Sequence, residues 1–367
     1  MKPYAPSAAI GISALLERYR SQSDFDFLRP TGMDLTKPIA PLMLAALFAF
    51  IVPARAEQPS GRIDYALTYV PLLHAVLMHG GWNPPNWSPT NEAWAWDGKS
   101  WSRWQTPGSP AFAHHTMAYD AKRKMLVICG RPTPHQDGEY QIWENEGKAW
   151  TRRANIPVST SAQGDPKLAY DTRKKRLVLY VASYAREAEV WEFDGKQWQH
   201  IKATHQPLRC DDNGCQFQYD ESLHKMVLVG EERASKEPLD WDGKEWGMAG
   251  GSGTQTWLWD GVDWDQLRGE QPPRAMWGGM AYDRERRRMF LLTTRMETWT
   301  LARDKWVKLT PQNSPVPIPN GFFELSYDPA QRVTLFFGGE NRRGKAEKDW
   351  TYPTATWLYD GQNWASR

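Results

Sequence analysis

The sequence predicts an all-β protein, a six-bladed β-propeller of four-stranded antiparallel blades, on three observations. A Trp-x-aromatic-Asp-Gly-x-x-Trp hairpin motif recurs seven times along the 367 residues. A second motif, apolar-small-Tyr-Asp followed by a turn and an apolar run, recurs six times. The Tyr-to-Tyr spacings are 50, 51, 49, 63 and 45, a period that suits one four-stranded unit per repeat.

The Tyr motif supplies the first two strands of each unit. Met117-Ala118-Tyr119-Asp120 leads through Lys122-Arg123-Lys124 to Met125–Ile128, and the order recurs at Tyr170, Tyr219, Tyr282 and Tyr327. A sixth copy at Tyr69 has Val70 in place of Asp. Residues two before each Tyr are bulky and apolar, whereas Thr68, Ala118, Ala169, Gln218, Ala281 and Ser326 stand one before. That alternation describes a strand with one bulky and one tighter face. The run after the turn is apolar almost throughout, as in a strand buried on both faces.

The Trp motif supplies strands three and four. Its copies occupy 94–101, 143–150, 191–198, 239–246, 257–264, 299–306 and 357–364, and the terminal Trp always lies seven residues after the first position. Five copies keep Asp-Gly, where Gly tolerates the positive φ of a tight turn. Seven hairpins against six Tyr strands leave one over. The copies at 239 and 257 begin only 18 residues apart, so an extra hairpin is expected inside the fourth blade. A seven-bladed ring with one eroded blade is the alternative. The repeat runs from an inner strand near Asp64 to an outer strand around Trp364, so closure should come from side-chain packing between blades, with no shared strand.

Residues 1–56 are read as a leader and 57–367 as one propeller domain. From Met33, a start containing Lys37, an apolar stretch Leu42–Val52, Pro53 and Ala54-Arg55-Ala56 follow the plan of a secretory signal peptide. An 11-residue apolar run is too short for a span, which needs ~20 residues. A retained amphipathic anchor is the other reading, since Asp34 offsets Lys37. Residues 1–32 then lie upstream of the start or form an extension. The expected location is periplasmic or extracellular, with no stable membrane span in the mature chain. There, Cys210 and Cys215 can pair across Asp211-Asp212-Asn213-Gly214, and Cys129 reads as a buried free thiol.

Lys and Arg number 45 against 43 Asp and Glu, and the chain beyond residue 56 carries 39 of each. That neutrality argues against a nucleic-acid partner, and 41% hydrophobic content argues against disorder. No H-E-x-x-H or G-x-S-x-G occurs. His205 with the two cysteines lacks a fourth ligand for a metal, and adjacent His114 and His115 should point to different faces. The basic turns Arg173–Arg176 and Arg284–Arg288 read as solvated edges rather than polyanion sites. No cofactor is expected.

The succession of Tyr-Asp strand, basic turn, apolar run, Gly-Gly and Trp-x-aromatic-Asp-Gly-x-x-Trp resembles bacterial Kelch-type propellers, the group that shares the propeller of galactose oxidase. The resemblance covers residues 63–367. Gly-Gly stands at Gly80-Gly81 and Gly338-Gly339 but is Gly130-Arg131 and Gly230-Glu231 elsewhere. A propeller of this type implies a ligand face formed by the loops from strand four to the next strand one and from strand two to strand three. Those loops bring His79, Trp82, His115, Lys167, Arg209, Arg274, Trp277 and Glu324 toward the channel mouth as the candidate binding set. Cations, a carboxylate and indoles suit a glycan or sugar acid, and a protein ligand is the other candidate partner. A recognition module is the leading reading. The alternatives are a sugar-acid isomerase resembling sialic-acid mutarotases and a copper-radical oxidase, for which Cys129 is the one unassigned thiol. Of 21 Trp, 16 belong to the hairpins, leaving Trp82, Trp87, Trp104, Trp277 and Trp350 for other roles.

Overall fold

The computed structural model describes residues 57–84, 87–132, 139–153, 155–156, 158, 164–182, 188–207, 214–231, 240–241, 246–247, 253–273, 277–318, 321–342 and 349–367. They form six four-stranded antiparallel sheets, each built from strands consecutive in the chain apart from small inserted hairpins. Blade 1 comprises Ala66–Val70, Ala75–His79, Ala93–Trp96 and Trp101–Arg103; blade 2 comprises Thr116–Asp120, Met125–Gly130, Gln141–Asn145 and Trp150–Arg152. Blade 3 is Pro166–Asp171, Arg176–Val181, Glu189–Phe193 and Trp198–Ile201, and blade 4 is Gln216–Asp220, Lys225–Glu231, Thr254–Trp259 and Trp264–Leu267. Blade 5 is Gly279–Asp283, Arg288–Leu292, Thr298–Ala302 and Lys305–Lys308, and blade 6 is Leu325–Asp328, Val333–Phe337, Thr356–Tyr359 and Trp364–Ser366. The inner strands touch in order around a ring that closes between blades 6 and 1. The chain is thus a six-bladed β-propeller. Among the described residues no helix is long and apolar enough to cross a membrane.

The surplus hairpin sits where the spacing placed it. Asp240–Trp241 pairs with Trp246–Gly247 as a separate two-stranded sheet between the second and third strands of blade 4. Comparable small hairpins occupy the same connection in blade 1 (Trp82–Asn83 with Ser88–Pro89) and blade 6 (Asn341–Arg342 with Trp350–Thr351), which the repeat pattern did not announce.

Two devices hold neighbouring blades together, and both come from the motifs. The first uses the terminal Trp, whose indole N–H reaches a Thr on the third strand of the preceding blade. Trp306 donates to Thr256 (2.8 Å), Trp364 to Thr298 (2.9 Å) and Trp101 to Thr356 (2.7 Å), the last across the closure. Where the preceding strand offers Ala93 or Val190 instead, Trp150 and Trp264 pack into the same clusters as those residues but their indole N–H groups have no partner.

The second device is the Tyr-Asp pair. Each motif Asp caps its own turn: the Asp171 side chain accepts from the backbone N–H of Arg173 and Lys174, both at 2.8 Å. The next blade's Tyr then settles on that turn. The backbone N–H of Lys122 donates to the Tyr170 hydroxyl (3.1 Å), while Tyr219, Tyr282 and Tyr327 face Asp171, Asp220 and Asp283. Tyr69 faces Asp328 and so completes the ring at the closure. Burial and the facing carboxylate raise these phenols, Tyr327 to about 12.

Of the cysteines, Cys129 is a buried free thiol and Cys215 is buried at the start of blade 4. Cys210 lies outside the described residues, as do the leader and Gly250–Ser252.

Candidate functional site

The loop-side mouth of the channel is built from the segments that lead into the inner strands. Asp64, His114, Trp277 and Phe322 all have positive φ, between 53° and 59°, in four of these lead-ins. Such left-handed geometry is uncommon for residues other than glycine and turns the chain sharply into the strand. The lead-ins also tie to one another, since the His114 backbone N–H donates to the Asp64 carbonyl (3.1 Å) and that of Phe322 to the Trp277 carbonyl (2.8 Å).

Four of the eight expected residues come together here. His115, Lys167 and Glu324 line one cavity of about 30 Å³ with Gln216, and Glu324, Gln216 and Trp277 line an adjoining one of about 10 Å³ with Asp64. Lys167 on blade 3 and Glu324 ahead of blade 6 belong to opposite sides of the ring, and Lys167 Nζ lies 3.8 Å from Glu324 Oε1 across the channel. The Glu324 backbone N–H donates to the Tyr65 hydroxyl (3.3 Å), which in turn donates to the Phe337 carbonyl. Burial raises the Glu324 carboxyl above the ordinary range; Lys167 draws it back and Asp64 pushes it further up. The Trp277 indole is buried and stacks on Phe322 with ring centres 4.9 Å apart.

The remaining four are placed otherwise. His79 is fully buried between blades 1 and 2, against Trp150 at 5.5 Å, and lines neither cavity. Trp82 stands in the small blade 1 hairpin with its ring edge to His114. Arg209 and Arg274 lie outside the described residues. Asp64, His114, Asp165 and Gln216 were not singled out as a polar set, since nothing in their local sequence distinguishes them from loop residues. His114 bridges Asp165 (Nδ1 to Oδ2, 3.0 Å) and Asp64 (Nε2 to Oδ2, 3.4 Å), whereas His115 turns to His79, so the adjacent pair does point apart.

His79 fixes the proton arrangement of His115. Ser109 spends its hydroxyl proton on the Asn91 carbonyl (2.9 Å), so towards His79 Nε2 (3.1 Å) it accepts. Neutral His79 therefore carries its proton on Nε2 and offers a bare Nδ1 to His115 Nε2 at 3.0 Å. The His115 proton must sit on Nε2, which leaves Nδ1 as a lone pair. That buried Nδ1 has no hydrogen-bond partner. Burial pulls His79 down to about 3 and holds His115 well below its usual value, with lesser contributions from the neighbouring His79, His114 and Lys167, so both rings stay neutral near pH 7. The mouth thus sets the Lys167 ammonium across the channel from the Glu324 carboxyl, with the His115 ring and the Gln216 amide lining the same cavity. Among the described residues no group of three or more His, Cys, Asp or Glu is placed to hold a metal ion.

Comparison of the sequence with protein-family models and with curated proteins finds no match. Solved structures do match in fold. AofleA from Arthrobotrys oligospora aligns with a TM-score of 0.52 at 11% identity, over 84% of this chain and 86% of that one. The GH93 α-L-arabinofuranosidase of Fusarium graminearum, solved with arabinobiose, aligns at 0.51 and 12% identity, over 82% and 95% of the two chains. SapL1 lectin in complex with α-methyl fucoside aligns at 0.50 and 9% identity, over 84% and 96%. Identities this low carry the architecture and nothing narrower: the chain shares the β-propeller fold.

Proposed function

We propose that this protein is an exported, Kelch-type propeller that binds a glycan or sugar acid at the loop-side mouth of its channel. The observation that carries the reading is the cavity where Lys167 faces Glu324 across the channel at 3.8 Å and His115 and Gln216 complete the lining. A hydroxylated ligand can bridge the long Lys167–Glu324 gap, and the Trp277–Phe322 stack flanks the neighbouring cavity. Propellers of the same architecture that carry α-methyl fucoside or arabinobiose support the ligand class. Glycan-array binding followed by titration tests it. Lys167→Ala and Glu324→Gln should each weaken binding at least tenfold, about 1.4 kcal/mol; retention of full affinity by both variants defeats the assignment.

A second reading follows from the raised Glu324 carboxyl, which sits beside Lys167 where an acid-base group would act on a bound sugar acid. Exchange spectroscopy of the anomeric protons decides: acceleration abolished by Glu324→Gln favours an isomerase, and unchanged exchange leaves a binding module. Export from a signal peptide ending at Ala56 and a Cys210–Cys215 disulfide belong to the same proposal. The second draws support from Cys129 being the free thiol and Cys215 not being one. N-terminal sequencing and mass spectrometry of the mature protein test both.

A further inference from the structure

A cavity of about 170 Å³, larger than either of the two at the loop side, lies at the opposite end of the channel, on the side of the inner turns. Its wall repeats with the blades, because each contributes its motif Tyr and the residue two positions on. The wall is uneven. Tyr69, Tyr119 and Tyr170 are half-buried, whereas Tyr219, Tyr282 and Tyr327 are buried. Tyr119 is also the one motif Tyr whose preceding blade has no Asp to meet it, since Val70 stands there. The accessible part of the funnel is therefore an aromatic wall with one phenol that no neighbouring turn engages.

The turns that surround the funnel carry cations. Lys122 and Lys124 on the blade 2 turn and Arg173 and Lys175 on the blade 3 turn are exposed, with no ion pair among the described residues. The Lys122 backbone sits on the Tyr170 hydroxyl, which places that turn at the funnel rim. Across the mouth, Arg284 is spent on Glu221 at 3.0 Å. Cations thus border the open aromatic wall, and Arg287 on the blade 5 turn is exposed as well. The volume admits one ring, since a cavity of about 150 Å³ holds benzene, and it is too small for an oligosaccharide.

We propose that this funnel is a second binding site, taking a single six-membered ring that bears a carboxylate, with the ring against Tyr119 and Tyr170 and the carboxylate toward Lys122 and Arg173. Two kinds of molecule share that chemistry, aromatic acids and uronic acids, and calorimetric titration with benzoate and with glucuronate separates them. One acid should bind at least tenfold more tightly than its uncharged counterpart, benzamide or glucose, and more weakly as salt rises. Tyr119→Ala should weaken it tenfold or more. The exposed double variant Lys122→Glu, Arg173→Glu, which leaves the core untouched, should do the same. Lys167→Ala, at the other mouth, should leave it unchanged, so this site and the loop-side site fail independently. Absence of binding by both acids at about 10 mM overturns the proposal. Binding that survives both the Tyr119 and the charge-reversal variants, or that vanishes with Lys167→Ala, overturns it equally.

Discussion

At the scale of single residues, the indole partners make a direct test of what one hydrogen bond contributes. Thr356 accepts from Trp101 in a buried contact, so Thr356→Val should cost about 1–3 kcal/mol by leaving a buried donor unpaired. Trp264 presents the reverse case, an orphaned indole N–H beside Val190. Val190→Thr should gain up to about 1 kcal/mol, although a Val-to-Thr change in a core is ordinarily unfavourable. Urea unfolding of both variants measures the pair, and a loss in both would mean that packing, not the donor, sets the preference. His79 offers a test in pH. Its folded value of about 3 lies below the ordinary 6.5, so the stability it contributes is complete above 6.5 and is lost as pH falls toward 3. The slope reaches about 1.4 kcal/mol per pH unit for one proton. His79→Gln should reduce the loss of stability across that window but not abolish it, because His115 is depressed as well.

At the scale of elements, the Tyr-Asp strand is a latch whose two halves lie on different blades. Sequence periodicity shows that Tyr and Asp are adjacent in the chain, but the working pair is the Tyr of one blade with the Asp of the blade before it. Asp171→Ala removes the acceptor for two backbone N–H groups and the group facing Tyr219, and should cost about 1–2 kcal/mol. Asp97 caps an exposed outer hairpin in the same local way, at 2.8 Å to Lys99 and Ser100, yet meets no motif Tyr. Asp97→Ala should therefore cost clearly less, and equal losses would show that the capping alone matters. The Trp hairpins were equally readable, because Gly98, Gly195, Gly261 and Gly361 take φ between 95° and 101° as their turns require. What the sequence could not display was the mouth. His115 was legible as a polar residue ahead of a strand, but its bare Nδ1 depends on Ser109 and His79, which lie 6 and 36 positions away along the chain. Asp64, Asp165 and Gln216 join it only because three different lead-ins converge.

At the scale of the whole molecule, closure is the consequential feature. Every blade is made from consecutive strands, so no sheet needs both ends of the chain. The seam between blades 6 and 1 uses the same two contacts as other interfaces, Tyr69 facing Asp328 and Trp101 bonded to Thr356. A seam of that kind should be energetically equivalent to the others, with the chain break incidental to it. This predicts that the break can be moved. A circular permutant that starts at Gly164, ends at Val158, and joins Arg367 to Glu57 through about 12 Gly and Ser residues keeps all six sheets and the buried Ile156 and Val158. A flexible linker of that length spans about 20 Å, enough to cross a blade from outer to inner strand. The permutant should unfold in one cooperative transition within a few degrees of the parent. Permutants opened inside a blade, between its second and third strands, should lose far more, because there the break divides a hydrogen-bonded sheet. If both designs lose stability equally, the order in which the blades are made, rather than their contacts in the ring, governs folding.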